Sequence, residues 1–170
     1  MISIHTPIDE ELINTLKIGD TIEVTGTIYT GRDAVLPKVV NLIKEKKLHN
    51  YGINLEGSVI FHTAVSPAGV GPTSSNKFDI ENSIPELSRA GVKIHLGKGS
   101  LSDDTVKILN RYNSVYAVVP PVTALLTSKI KFSKVVACNE EGMEAFHLLE
   151  VEKFPAIIVA VHGETIFSNG

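Results

Sequence analysis

The chain has 170 residues, of which 43% are hydrophobic and 21% are charged, and its formal net charge at pH 7 is −3. This balance is typical of one globular domain with a core and excludes a largely disordered chain. The small negative charge offers no basic footprint for nucleic acid or an anionic membrane, and no apolar run reaches the roughly 18 residues of a membrane-spanning helix. We therefore expect a single domain over residues 1–170, with neither nucleic acid nor a membrane as partner.

The N-terminal residues and the cysteine content bear on the compartment. The sequence MISIHTPIDEELI is acidic and has no basic stretch before an apolar one, which argues against a secretory signal, so we expect a cytoplasmic protein. Cys138 is the single cysteine, so an internal disulfide is excluded, and alone it cannot hold an iron–sulfur cluster or a structural zinc. Its surroundings, KVVACNE, favour a small core residue over a catalytic thiol.

Strand and helix patterns alternate through the first half of the chain. Residues 17–33, KIGDTIEVTGTIYTGRD, alternate Ile22 and Val24 with polar residues, as a half-buried strand does. Residues 34–49 carry apolar side chains at helical spacing, with Pro37 in the first turn. The apolar run GSVIFHTAV then predicts a buried strand.

The alternation continues in the second half. SIPELSRAG predicts a compact helix with Ser83 as its cap, Pro85 in its first turn and Gly91 as its end. VKIHL and SVYAVV are strand-like, and SDDTVKILNRYN between them has the charges of a helix, acidic first and basic last. PPVTALLTSKI predicts a short helix; KVVACN, AFHLLEVEKF and PAIIVAVHGETIF follow, with HGET as a hairpin turn. The predicted fold class is α/β, a central sheet flanked by helices.

The segment GVKIHLGKGS resembles a nucleotide phosphate loop only superficially. Its first glycine, Gly91, is one residue too far from the Gly-Lys pair, and Gly99 stands where that motif has Ser or Thr. What remains is Lys98 between two glycines at the end of a strand, where open α/β sheets bind ligands. On the pattern alone, a tight turn with a solvated lysine is the favoured alternative.

Arg32 and Asp33 stand between a predicted strand and a predicted helix. In isolation Arg32 is best explained as a surface cation and Asp33 as a helix cap. The functional alternative is a guanidinium at a strand end whose planar fork matches a carboxylate, with Asp33 orienting it.

The stretch AGVGPTSSNKFD, residues 68–79, is too polar and too long for a simple turn. Gly71 and its neighbours let backbone N–H groups approach a ligand closely, Thr73 and Ser74 add hydroxyls, and Lys77 adds a positive charge. Composition alone leaves a solvent loop and an anion-binding loop as equal alternatives.

The histidines give no local metal site, because no two stand at i, i+2 or i, i+4. Each is more simply structural or exposed, although two stand on strands near the loops above; the six are His5, His49, His62, His95, His147 and His162. The sequence also has no Gly-x-Ser-x-Gly elbow. Three loops thus carry cations or hydroxyls without a metal or nucleophile, a pattern that indicates half an active site for a small di- or tricarboxylate.

Four motifs, in order over nearly the whole chain, resemble the β subunit of class I fumarate hydratases and L-tartrate dehydratases, which is equivalent to the C-terminal domain of the one-chain enzymes. They are the strand GDTIEVTGTIYTGRD, the loop GPTSSNKFD, the segment GKGS, and EEGMEAFHLLEVEKFPAIIV. Four ordered motifs are far more specific than any one of them.

The resemblance implies a swivelling β/β/α domain and a partner α subunit carrying a 4Fe–4S cluster, bound by that partner and not by this chain. It implies that Arg32, Lys77 and Lys98 hold substrate carboxylates, with Gly71 and Ser74 in the same binding loop. Thr73 matches the threonine implicated in proton transfer beside the carboxylate. A free threonine hydroxyl is too weak a base near neutral pH, so it needs a nearby cation, a relay partner or a dry site. Lys98 is the catalytic candidate for that help, and a carboxylate from the α subunit is another.

The sequence departs from the family pattern at three places. Lysine stands at position 77 where arginine is usual, which keeps the charge but loses the fork; Phe78 replaces a common methionine, and Val35 and Leu36 replace Ala-His. The substrate therefore stays open. The resemblance favours reversible dehydration of malate to fumarate, with L-tartrate or a related hydroxy diacid as alternative.

A non-catalytic binding or regulatory swivel domain is the alternative from another class. The expected assembly is a hetero-oligomer with the α subunit or a β–β dimer.

Overall fold

The computed structural model describes residues 1–66, 69–70 and 77–167, with the side chains of residues 77–80 outside that description. Helices and strands alternate along most of it. In chain order they are β1 Ile2–His5, α1 Glu10–Thr15, β2 Thr21–Gly31, α2 Leu36–Lys44, a 3-10 helix Leu48–Tyr51, β3 Val59–His62, α3 Lys77–Arg89, β4 Ile94–Gly97, α4 Asp103–Arg111, β5 Val115–Val118, α5 Thr123–Ser128, β6 Ile130–Ala137, a 3-10 helix Asn139–Glu144, β7 Phe146–Val161 and β8 Glu164–Thr165.

The first five strands are parallel neighbours in the order β1-β2-β3-β4-β5. Helices connect β3 to β4 and β4 to β5, as parallel pairs require. Ser102 caps α4 by accepting a hydrogen bond from the Thr105 N–H, and acidic residues occupy the first turn of that helix, as predicted.

The long strand β7 closes the sheet on itself. It runs antiparallel to β2 along one edge and to β5 and β6 along the other, and it ends in a hairpin with β8. His162 and Gly163, both with positive φ, form that hairpin turn, which confirms the turn predicted at HGET. The stretches AFHLLEVEKF and PAIIVAV are one continuous strand, in which Lys153 adopts a φ of 55°.

The interior of the closed sheet is apolar. Phe61 of β3 and Phe154 of β7 meet there edge to face, with ring centroids 5.8 Å apart. α1 and α5 contribute Ile13 and Leu126 to the same cluster of buried side chains.

A helical layer covers the outer face of the parallel strands. Two further clusters of buried side chains join α2 and α3 to the sheet and α3 and α4 to β5 and β7. The result is an α/β domain with an eight-stranded sheet flanked by helices, which confirms the predicted fold class.

The predicted start of α3 is wrong. The helix begins at Lys77, so Ser83 is a buried residue within it and not its cap, and Pro85 lies inside the helix. Proline there removes one backbone N–H from the helix, but Ile84 and Leu87 are fully buried on either side. The apolar packing of this face outweighs the local preference of Ser and Pro for a first turn. The predicted end is right, because Gly91 has a φ of 115°.

Within the described ranges, no helix has the length and apolar character to cross a membrane.

Candidate functional site

Four parallel strands end on one row of residues. Gly31 pairs with His62 in register, the β3–β4 register continues this row to Gly97, and Gly97 pairs with Val118. The loops that leave the row are those that carry the predicted cations and hydroxyls. Since neighbouring strands are about 4.8 Å apart, the ends of β2 and β4 are separated by roughly 10 Å.

Arg32 directly follows the row at the end of β2 and is partly buried, with 24% of its side chain exposed. Its Nε donates a hydrogen bond of 2.8 Å to Oε1 of Glu144, the last residue of the 3-10 helix before β7. This hydrogen bond is donated by the Nε–H, on one side of the guanidinium. The two terminal nitrogens form the fork of N–H groups that matches the two oxygens of a carboxylate. Glu144 lies in the segment EEGMEA, but no local pattern marks it as a partner of Arg32.

Asp33 does not cap α2. The residue preceding that helix is Val35, and no side-chain cap hydrogen bond is formed there, so the capping interpretation is wrong. The Asp33 carboxylate is instead 3.7 Å from Nε of Arg32 and is 46% exposed. At that distance the contact is an ion pair without a hydrogen bond, and Glu144 is the closer partner of Arg32.

Lys98 directly follows the row at the end of β4, and the residue is exposed. Its backbone carbonyl accepts a hydrogen bond of 2.9 Å from the hydroxyl of Tyr116. Burial raises the pKa of Tyr116, so the phenol stays protonated and remains a donor at neutral pH. A side chain at position 97 would meet the Tyr116 hydroxyl at 3.0 Å, so glycine before Lys98 lets the turn sit on that ring.

The chain between β3 and α3 is fixed at two described points. The Val65 N–H donates to the Met143 carbonyl at 2.9 Å, and the Val70 N–H donates to Oγ1 of Thr127 at 3.2 Å. The segment thus leaves the row between Arg32 and Lys98 and contacts α5 and the 3-10 helix that carries Glu144.

Three predicted residues of this segment, Gly71, Thr73 and Ser74, lie outside the described residues. Lys77 is the first residue of α3, and its side chain also lies outside that description.

Two histidines that the sequence analysis treated separately meet beneath the row. His62 Nε2 lies 2.9 Å from His95 Nδ1, and His95 Nε2 lies 2.8 Å from Oγ of Ser88 on α3. All three side chains are buried. Burial lowers the pKa of His62 to about 4 and also lowers the pKa of His95, so both rings are neutral near pH 7. A search for histidines at strand or helix spacing could not find this pair, because sheet register and not local sequence joins it.

Among the described residues, no group of three or more His, Cys, Asp or Glu side chains is arranged to hold a metal ion. Cys138 is partly buried, packs beside the cluster under α2 and α3, and has a left-handed φ of 60°. Burial raises the pKa of its thiol, which favours the unreactive protonated form.

Comparison with known proteins gives one consistent result. The family model described as "Fumarase C-terminus" matches residues 1–170. The chain is 31% identical to a putative L(+)-tartrate dehydratase subunit beta of Methanocaldococcus jannaschii, over 92% of this chain and 86% of that protein. It is 28% identical to the L(+)-tartrate dehydratase subunit beta of Escherichia coli K12, over 96% of this chain and 85% of that one.

The anaerobic class I fumarate hydratase of Escherichia coli K12 is 30% identical over 93% of this chain. The match covers only 30% of that protein. This chain therefore spans most of the subunit relatives and less than a third of this longer one.

Proposed function

This chain belongs to the fumarase C-terminus family, and we propose that it is the β subunit of a hydro-lyase that interconverts a 2-hydroxy dicarboxylate and its unsaturated product with water. The observation that carries the proposal is the position of Arg32 and Lys98. They follow β2 and β4 on one row, with the β3–α3 segment leaving that row between them. Two cations at this spacing, on long side chains, suit the two ends of one small dianion.

In this proposal Arg32 binds one carboxylate through the terminal fork of its guanidinium, and Glu144 holds the other side of that group. Lys98 binds the second carboxylate as a point charge. Contacts at both ends of the dianion fix its orientation for the proton transfer.

Thr73 is the proposed proton-transfer residue, with Gly71, Ser74 and Lys77 completing the binding loop. Its hydroxyl would act at the carbon next to a bound carboxylate. Lys98 is the local cation that can stabilise a deprotonated hydroxyl, as required of so weak an acid.

The residues of this chain do not fit the 4Fe–4S cluster of class I fumarate hydratases and tartrate dehydratases. Such clusters are held by several cysteine thiolates, and Cys138 is the single cysteine. Its thiol is partly buried under α2, with a raised pKa. We therefore assign the cluster to a partner α subunit, which makes this chain active only in a hetero-oligomer.

Malate and fumarate are the first substrate pair of the proposal, and L-tartrate is the second candidate. The fumarate hydratase relative supports the first, and the two tartrate dehydratase subunits support the second because they match this chain over most of their length.

The test is to co-express this chain anaerobically with a candidate α subunit and to assay malate, fumarate and L-tartrate with the purified complex. We expect dehydration of at least one of them by the complex and none by this chain alone. A stable complex with an intact cluster and no turnover of any hydroxy diacid would contradict the proposal and favour a non-catalytic binding or regulatory domain.

Variants of Thr73 test the site within that complex. Thr73→Ala should lower kcat by about a hundredfold, in the range for loss of a general acid or base, while Thr73→Ser keeps the hydroxyl and should retain most of the turnover. Equal activity of Thr73→Ala and the wild type would remove the threonine from the mechanism.

A further inference from the structure

His62 occupies the central position of the row on which the strands end. It lies between Gly31 of β2 and Gly97 of β4. Neither glycine has a side chain, so the imidazole is the one side chain of these three residues directly beneath the edge. Arg32 and Lys98 are the residues that follow those two glycines, so His62 stands between the two proposed carboxylate contacts.

The imidazole of His62 is held from one side only. Its Nε2 is hydrogen-bonded to His95, which lies two residues further from the edge, in the next row on the same face, with Ile60 and Tyr116. His95 is in turn hydrogen-bonded to Ser88. The residue is 2% exposed, yet its Nδ1 has no hydrogen-bond partner in the described part of the chain. A buried polar atom left without a partner is unfavourable by about 1–3 kcal/mol, so such an atom calls for an explanation.

The chain of hydrogen bonds can run in either of two directions. If Ser88 donates to His95 and His95 donates to His62, then Nδ1 of His62 carries the proton and is a donor. If the direction is reversed, Nδ1 is an acceptor. Both arrangements are neutral and satisfy the two bonds between the three side chains, so they differ mainly in what the open end offers.

We propose that His62 is a further substrate-positioning residue, whose Nδ1–H donates a hydrogen bond to a carboxylate oxygen of a dianion bound between Arg32 and Lys98. The inference rests on the proposed function, because it takes the dianion from there. A carboxylate only accepts hydrogen bonds, so its binding selects the direction that starts at Ser88. The two ring nitrogens point away from each other, and Nε2 faces His95, so Nδ1 is directed away from the inner row.

A neutral donor suits this position. Low pKa values keep both histidines uncharged near pH 7, so the site gains a directional contact without adding a buried cation to the partly buried Arg32 and the exposed Lys98. The ring is held by His95 and Ser88 before the ligand arrives, which lowers the entropy lost on binding.

Two substitutions separate this role from a structural one. His62→Gln places its amide near Nε2 and can keep the bond to His95 while losing Nδ1. His62→Asn places its amide near Nδ1 and loses the bond to His95.

In the complex with the α subunit, we expect His62→Gln to raise the Kd of succinate, a non-reacting dicarboxylate, about tenfold, the effect of one hydrogen bond to a charged group. His62→Asn should raise it less. His49→Gln, at an exposed position on the 3-10 helix before β3, is the matched control and should leave Kd unchanged.

The reverse order, with His62→Gln binding like the wild type and His62→Asn impaired, would show that His62 only supports the fold and would overturn the inference. Failure is distinguishable from failure of the proposed function: a complex that turns over a hydroxy diacid equally well with His62→Gln removes His62 alone.

A spectroscopic measurement on the unmodified chain covers the case in which the variants fold poorly. With ¹⁵N-labelled histidine in this chain and succinate added to the complex, the His62 Nδ1 signal should be that of a protonated nitrogen coupled to its hydrogen. A signal that stays that of an unprotonated nitrogen at saturating succinate would contradict the proposal.

Discussion

The two faces of the neighbouring strands β3 and β4 carry different kinds of side chain. Toward the interior of the closed sheet both strands present only apolar side chains, all fully buried: Val59, Phe61, Ile94 and Leu96. Toward the helices the same strands present Ile60, His62, His95 and Gly97, with two imidazoles and a position without a side chain. The inner face therefore secures the fold, and the outer face trades apolar burial for polar groups next to the edge where ligands bind in α/β sheets.

The largest expected effect comes from breaking the inner face. Phe61→Ala should lower the free energy of unfolding by about 3–5 kcal/mol, because it leaves a cavity beside Phe154. Urea unfolding followed by circular dichroism measures this. Phe132→Ala is the matched control, since Phe132 on β6 is 52% exposed, and it should change the free energy by less than about 1 kcal/mol. Similar losses from both variants would show that the interior is not the main support of the fold.

The polar outer face should make stability depend on pH in a way that the inner face cannot. Burial lowers the pKa of His62 to about 4, so below the ordinary histidine value of about 6.5 the unfolded chain binds a proton that the folded chain does not. The stability that His62 contributes by staying neutral is therefore fully present above that pH and is lost as the pH drops toward 4. Between pH 7 and pH 5 the titration of His62 should lower the free energy of unfolding by about 2 kcal/mol.

His62→Gln removes that titrating group, so its unfolding free energy should fall less between pH 7 and pH 5 than that of the wild type. Urea unfolding at the two pH values compares them. Parallel losses in both proteins would mean that His62 is protonated in the folded chain at pH 5.

A smaller effect is expected at the edge itself. Glu144→Gln weakens the hydrogen bond that orients Arg32 but leaves the proposed contacts with the substrate carboxylates in place. KM should therefore rise several-fold, with little change in kcat or in the free energy of unfolding. Steady-state kinetics of the complex provide the measurement. Glu140→Gln is the control, because Glu140 lies on the same 3-10 helix but pairs with Lys38. A loss confined to kcat would place Glu144 in the chemistry and not in orientation.

The fold class followed from local patterns because the central strands β3, β4 and β5 are short and apolar, and because some helix ends carry ordinary signals. The acidic first turn of α4 and Gly91 after α3 act as those signals predict. The start of α3 did not follow, since the tertiary burial of Ile84 and Leu87 decided it over the local preference of Pro85.

The candidate site divides in the same way. Arg32 and Lys98 were accessible to sequence analysis because each directly follows a recognisable strand. Glu144 and the His62–His95 contact were not, because register and sheet closure bring together residues far apart in the chain. The closing strand β7 had no local signal for its choice of partners, so neither its pairing with β2 nor the resulting interior was predictable.

The most direct measurement of the central claim is kcat/KM for the hydroxy diacid that the anaerobic complex turns over, compared between the wild type, Lys98→Ala and Lys17→Ala. Lys17 is exposed and lies just before β2, at the end of that strand opposite Arg32. If the edge binds a dicarboxylate, Lys98→Ala should lose at least about a hundredfold in kcat/KM, the effect of a lost contact between a cation and a charged substrate, while Lys17→Ala stays within about twofold of the wild type. Equal values for the two lysine variants would contradict the account.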